Sequence, residues 1–169
     1  MKKDDHRFAL INGKVILPDR VADGLAVVVE GSRIAGVLPQ GDLGEELPTV
    51  DTGGRIISPG LIDIHTHGAV GFDYTQATPE AFDAITRAQA HQGITTLLAT
   101  LGTAPLQDML NAITFTGEWM ANPHAGATVA GLHLEGPYFS SEQKGAQDPN
   151  SIRTPQDGSA DALLAHPLW

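Results

Sequence analysis

The stretch Ser58-Pro-Gly-Leu-Ile-Asp-Ile-His-Thr-His-Gly68 constrains the fold of this chain more than any other, because a short apolar run ends in two imidazoles two residues apart. In an extended strand, residues i and i+2 point to the same face, so His65 and His67 are expected to project side by side. Two neighbouring neutral imidazoles, emerging where a strand meets a glycine-bearing loop, make half of a divalent transition-metal site. A metal-dependent hydrolase is therefore the first functional hypothesis.

The texture of the chain changes at this segment. From Phe8 to about Val50, short β-rich runs are broken by turn residues at Asn12-Gly13 and Pro18-Asp19. Gly24 to Glu30 and Arg33 to Val37 read as a hairpin turning at Glu30-Gly31-Ser32, and Pro39 to Pro48 reads as a loop. Residues 1–58 are thus expected to form a small antiparallel, β-sandwich-like unit, with Pro59-Gly60 marking its boundary. After it, strand-like runs alternate with helix-length segments. Leu61 to His65 is a first strand. Thr78-Pro79-Glu80 is a helix start, followed by Phe82, Ile85 and Ala88 on one face, with Gly93 closing the helix. Ile94 to Thr100 is a second strand, Thr103 starts a second helix that ends before Asn122-Pro123, and Thr128 to Leu134 is a third strand.

A repeated strand, helix, strand order implies an α/β fold with a parallel sheet or a (β/α) barrel, whose chemistry gathers at the C-terminal ends of the strands. Residues 59–169 supply only about three to four strand-plus-helix units at roughly 30 residues each, against about 250 residues for an eight-unit barrel. They form either an open three- or four-stranded α/β domain or the N-terminal part of a (β/α)8 catalytic barrel. The apolar ending Leu163-Leu-Ala-His-Pro-Leu-Trp169, with no later element to cover it, favours truncation.

The third strand ends in Gly131-Leu-His-Leu-Glu-Gly-Pro137. Glu135 sits at its mouth beside a Gly-Pro turn, where its carboxylate can join His65 and His67 as a third ligand from another strand. The alternatives are imidazoles satisfied by backbone hydrogen bonds, and a glutamate that caps a loop or pairs with Lys144. His133, two positions deeper, is assigned a structural or supporting role. Asp63 lies below the imidazoles and is expected to make a buried hydrogen bond. His6, His91, His124 and His166 are expected to face solvent. Lys144-Gly-Ala-Gln147 follows at a distance that lets it fold back over the same mouth.

The absence of cysteine excludes disulfides and thiolate metal sites, leaving imidazole and carboxylate as ligands. A net charge of -10 with only ten Lys and Arg argues against a nucleic-acid partner. No apolar stretch reaches the roughly 18 to 20 residues of a membrane span, and the N-terminus has no secretory pattern, so a cytoplasmic location is expected.

Pro59-Gly-Leu-Ile-Asp-Ile-His-Thr-His-Gly68 resembles the first-strand signature of the amidohydrolase superfamily. Leu132-His-Leu-Glu-Gly-Pro-Tyr138, followed by Lys144-Gly-Ala146, more specifically resembles the N-acetylglucosamine-6-phosphate deacetylases, and the β unit before residue 59 fits that family's accessory domain. The resemblance covers nearly the whole chain but only about the first 40% of a family member. It implies a divalent metal ion (zinc, iron or manganese) held by Glu135, with His65 and His67 completing a second metal position that some members replace. It further implies an amino-sugar phosphate as small-molecule substrate, contacted by the Ala146 backbone and by Gln147, where the family usually has His. A homodimer is possible for the full-length form. The family's later metal-binding histidines, phosphate-binding residues and general-base aspartate have no counterparts before Trp169, so no catalytic base is assigned and the chain alone is expected to be inactive. Two alternatives stand beside this one: an amidohydrolase acting on a cyclic amide, and a non-catalytic remnant that keeps a metal half-site.

Overall fold

The computed structural model describes residues 7–167; His6 and Trp169, both named above, lie outside the described residues. The chain divides into two compact units, Met1–Pro59 and Gly60–Trp169.

The first unit contains β1 (Arg7–Ile11), β2 (Lys14–Ile16), β3 (Val21–Ala22), β4 (Leu25–Glu30), β5 (Arg33–Pro39), β6 (Thr49–Asp51) and β7 (Ile56–Ile57). They form a four-stranded sheet in the order β5-β4-β1-β6 and a three-stranded sheet in the order β3-β2-β7. The expected hairpin is β4 and β5, turning through Gly31-Ser32. The unit is not wholly antiparallel, as the sequence suggested, because β6 runs parallel to β1 and β7 parallel to β2. The physical reason lies in the connection: a tight turn returns a chain antiparallel, whereas the long segment between β5 and β6 has the length to bring it back in the same direction. Alternation along β4 builds the core. Ala26 and Val28 pack with Ala9 on one side, while Val27 packs with Val15 and Ile57 on the other.

In the second unit β8 (Leu61–Thr66) leads through a small hairpin, β9 (Gly68–Ala69) and β10 (Phe72–Asp73), to α1 (Pro79–His91). Then follow β11 (Ile94–Leu101), α2 (Leu106–Met120), β12 (Thr128–Leu134) and the short α3 (Ser159–Leu164). Strands β8, β11 and β12 form a parallel sheet in the order β12-β11-β8, so the fold is mixed α/β with each parallel crossover made by a helix.

Helix α1 starts as its sequence dictates, since Thr78 Oγ1 accepts the Ala81 N–H at 3.2 Å and Pro79 occupies the first turn. Helix α2 does not start at Thr103. Its N-cap is Pro105, and a proline disfavours the helical region for the residue before it, which opposes a helix running from Thr103 through Ala104. The two helices close over β11, and Phe82 lies at the centre of their core with ring centroids 4.8 Å from Tyr74, 5.0 Å from Phe115 and 5.4 Å from Trp119. By contrast, β8 lies at the edge of its sheet, and its Leu61, Ile62 and Ile64 are 60%, 70% and 66% exposed.

His124 is exposed, as expected, with its ring stacked flat on Trp119 at a centroid distance of 3.4 Å. Two expectations about the remaining residues need correction. His166 Nε2 lies 3.0 Å from Thr114 Oγ1. Leu163, expected to lack cover, is 2% exposed and joins the core of the second unit.

Tyr74 is also fully buried, yet its hydroxyl has no hydrogen-bond partner among the described residues. Burial pushes its phenol well above the usual tyrosine range. Phe82→Ala is expected to lower the unfolding free energy by about 3 to 5 kcal/mol through the cavity it leaves, whereas Tyr74→Phe, which deletes an unpaired buried hydroxyl, should leave it unchanged or slightly raised. Urea denaturation followed by far-UV circular dichroism checks both.

Candidate metal centre

His65 of β8 and His67, just past its end, stay together despite a local irregularity. Leu97 of β11 pairs with Asp63 and Ala99 with Thr66, so β8 spends one more residue than its partner between these points, a bulge at Ile64-His65. The His65 N–H, displaced from the ladder, donates to Asp63 Oδ1 at 3.0 Å. Asp63 thus makes a hydrogen bond, as expected, but an exposed one. Strict alternation is broken, yet the rings of His65 and His67 remain neighbours, edge to face with centroids 5.3 Å apart.

The residue between them is the anchor. The Thr66 N–H donates to Thr100 Oγ1 at 3.0 Å, and Thr66 Oγ1 accepts from Gln89 Nε2 of α1 at 3.2 Å. Beyond the strand, the His67 carbonyl accepts the Tyr74 N–H at 2.9 Å. Gly68 allows this return, because a Cβ there would stand 2.0 Å from the Phe72 carbonyl oxygen.

Glu135 arrives from the other edge. β12 pairs with β11 so that His133 lies opposite Thr100 and Leu134 opposite Leu101, and the Glu135 N–H donates to the Leu101 carbonyl at 2.9 Å. The next residue must be glycine. Gly136 has φ +110°, and a Cβ on it would fall 2.3 Å from Thr103 Oγ1.

These anchors bring Glu135 Oε2 to 2.8 Å from His67 Nε2 and 3.7 Å from His65 Nε2. Ligand atoms of His65, His67 and Glu135 all lie within 4.8 Å of one another. Donors about 2.1 Å from a tetrahedral cation are separated by about 3.4 Å, so small side-chain movements bring this set to ligand spacing. Two imidazole nitrogens and one carboxylate oxygen are the donor chemistry that zinc, iron and manganese accept. The residues present therefore fit a divalent cation. Lys144 does not neutralise Glu135: its Nζ donates to the carbonyls of Gly145 and Gln147 at 3.2 and 3.1 Å.

Those bonds curl residues 144–147 into a tight turn, with the Gln147 N–H on the Lys144 carbonyl at 3.2 Å. Gln147 Oε1 accepts the Thr103 N–H at 2.8 Å. A side chain begun at Gly102 would stand 3.6 Å from His67 Cε1 and 3.8 Å from Gln147 Oε1, so Gln147 lies on the rim that carries His67. Ala146 is exposed in the same turn.

Sequence reasoning passed over Thr66, Thr100 and Gln89. The signals were present: a threonine closing an apolar strand, and a glutamine on the α1 face that also carries Phe82 and Ile85. Removing the Gln147 acceptor tests the link between the turn and the rim. In Gln147→Ala the Thr103 amide should exchange with deuterium about five- to tenfold faster, with α1 amides unaffected, as hydrogen-exchange NMR would show.

Comparison with known proteins identifies relatives of this chain. Residues 56–166 match the Amidohydrolase family. The chain is 33% identical over 148 residues to the N-acetylglucosamine-6-phosphate deacetylase of Haemophilus influenzae, covering 87% of this chain and 38% of that protein. It is 29% identical over 146 residues to an N-acetylgalactosamine-6-phosphate deacetylase of Escherichia coli, covering 86% of this chain and 35% of the relative. Among solved structures, N-acetylglucosamine-6-phosphate deacetylase from Pasteurella multocida superposes with a TM-score of 0.83 at 28% identity, over 91% of this chain and 41% of that one. The chain thus spans well under half the length of the relatives it matches. A parallel α/β sheet that gathers two histidines and a glutamate on one rim, within a matched segment of this extent, places the chain in the amidohydrolase family.

Proposed function

We propose that this chain forms the N-terminal part of a metal-dependent amidohydrolase that removes the N-acetyl group from a hexosamine 6-phosphate, N-acetylglucosamine-6-phosphate first. The observation that carries the proposal is the convergence of His65, His67 and Glu135 at one rim. In this reading, residues 1–58 are the accessory domain and 59–169 the first strands and helices of a (β/α)8 barrel. The parallel order of β8, β11 and β12 supports it, as does the likeness to deacetylases of more than twice the length.

His65, His67 and Glu135 would hold a divalent cation, which would supply polarisation of the amide carbonyl and a water whose pKa is lowered towards about 7. The contribution of the chain's own residues is to place donors. His65 offers a nitrogen from the edge strand and His67 one from just past its end, and Glu135 offers an oxygen on a backbone tied to Leu101. Ala146 through its backbone and Gln147 through its free amide N–H groups are assigned to the sugar. With Oε1 committed to Thr103, Gln147 presents a donor to the substrate. The base that takes the proton belongs to the remainder of the barrel. The Escherichia coli relative makes the galactosamine isomer the second substrate to assay.

Titration of the purified chain with Mn2+ or Zn2+ in a calorimeter is expected to show binding that Glu135→Ala weakens at least tenfold, about 1.4 kcal/mol. Unchanged affinity in that variant would remove the metal site from the reading. The 169-residue chain alone should release no acetate from N-acetylglucosamine-6-phosphate. Turnover at an ordinary enzymatic rate would show that the later strands are dispensable and overturn that part.

A further inference from the structure

His133 lies against the rim without belonging to its ligand set. It sits opposite Thr100 in the β11–β12 register, two residues before Glu135, and its ring lies 4.9 Å from that of His65 with a 57° tilt. Its Nδ1 is 3.4 Å from Thr100 Oγ1, and Thr100 is fully buried. The same oxygen already accepts the Thr66 N–H at 3.0 Å, so its own proton is available to His133 Nδ1. One buried hydroxyl therefore touches the backbone between the two proposed ligands and the ring beside one of them. His65 needs such support. It stands at the bulge of an edge strand, its side chain is 49% exposed, and its backbone N–H is taken by Asp63.

We infer that Thr100 and His133 are positioning residues: the Thr100 hydroxyl fixes the plane of the His133 imidazole, and that ring in turn holds His65 with Nε2 directed at Glu135. The inference rests on the reading of His65, His67 and Glu135 as metal ligands. Its chemical logic is that of outer groups that orient ligating imidazoles, whose loss weakens metal binding about 10- to 100-fold.

The test is titration of the 169-residue chain with Co2+, following both the heat and the visible d–d absorption, which reports ligand geometry rather than stability. Thr100→Val, the same shape without a hydroxyl, and His133→Ala are each expected to weaken Co2+ binding about tenfold and to alter the absorption band. Thr100→Ser, which keeps the hydroxyl, should retain both the affinity and the band. Wild-type affinity and spectrum in Thr100→Val and His133→Ala, alongside lost binding in Glu135→Ala, would overturn the positioning role and leave the ligand reading intact. Full affinity in Glu135→Ala would overturn both. Should His133→Ala not fold by far-UV circular dichroism, the Thr100 pair decides, since equal affinity in the Ser and Val variants overturns the inference.

Discussion

The register of three parallel strands governs everything at the rim. β11 is the common partner, and it holds β8 at Thr66 and β12 at His133, Leu134 and Glu135. Because the strands run the same way, their C-terminal ends open on one side, and groups nearly seventy residues apart in sequence meet there. A slip of one residue in either ladder would turn a ligand to the opposite face. The Thr66 N–H on Thr100 and the Glu135 N–H on Leu101 are the bonds that hold each donor strand against such a slip.

Much of this was legible in the sequence, for reasons tied to particular residues. Thr78, Pro79 and Gly93 bracket α1 because capping and chain reversal are local chemistry. Strand β12 showed itself as an apolar run ending at a Gly-Pro turn, and its glutamate followed. Local reasoning stopped where distant partners decide. The bulge at Ile64-His65 exists only in the pairing of β8 with β11, and no periodicity within β8 announces it. Nor does Thr103 look like a loop residue until Pro105 takes the N-cap and Gln147 claims its N–H. In the first unit, the parallel pairs of β6 and β7 depend on where a long connection leads, which spacing does not encode.

The two sides of the site differ in how firmly they are held. Glu135 extends a strand paired to the central β11, and its loop is fixed further by Gly136 against Thr103 and by Arg153 N–H on the Pro137 carbonyl at 2.9 Å. The imidazoles sit at the end of the outer strand and just past it, with Thr66 tied inward to Thr100 and His65 in contact with His133. Both sides rest on β11, which is buried at Leu97, Ala99, Thr100 and Leu101, so core packing sets how closely the two edges approach each other.

The open flank of β8 carries a different consequence. A terminal strand whose Leu61, Ile62 and Ile64 stand in water presents both a greasy stripe and a free row of backbone donors and acceptors, the pairing template on which other strands nucleate. By that chemistry, any further strand that joined this sheet on its open side would pair with β8 and run alongside His65.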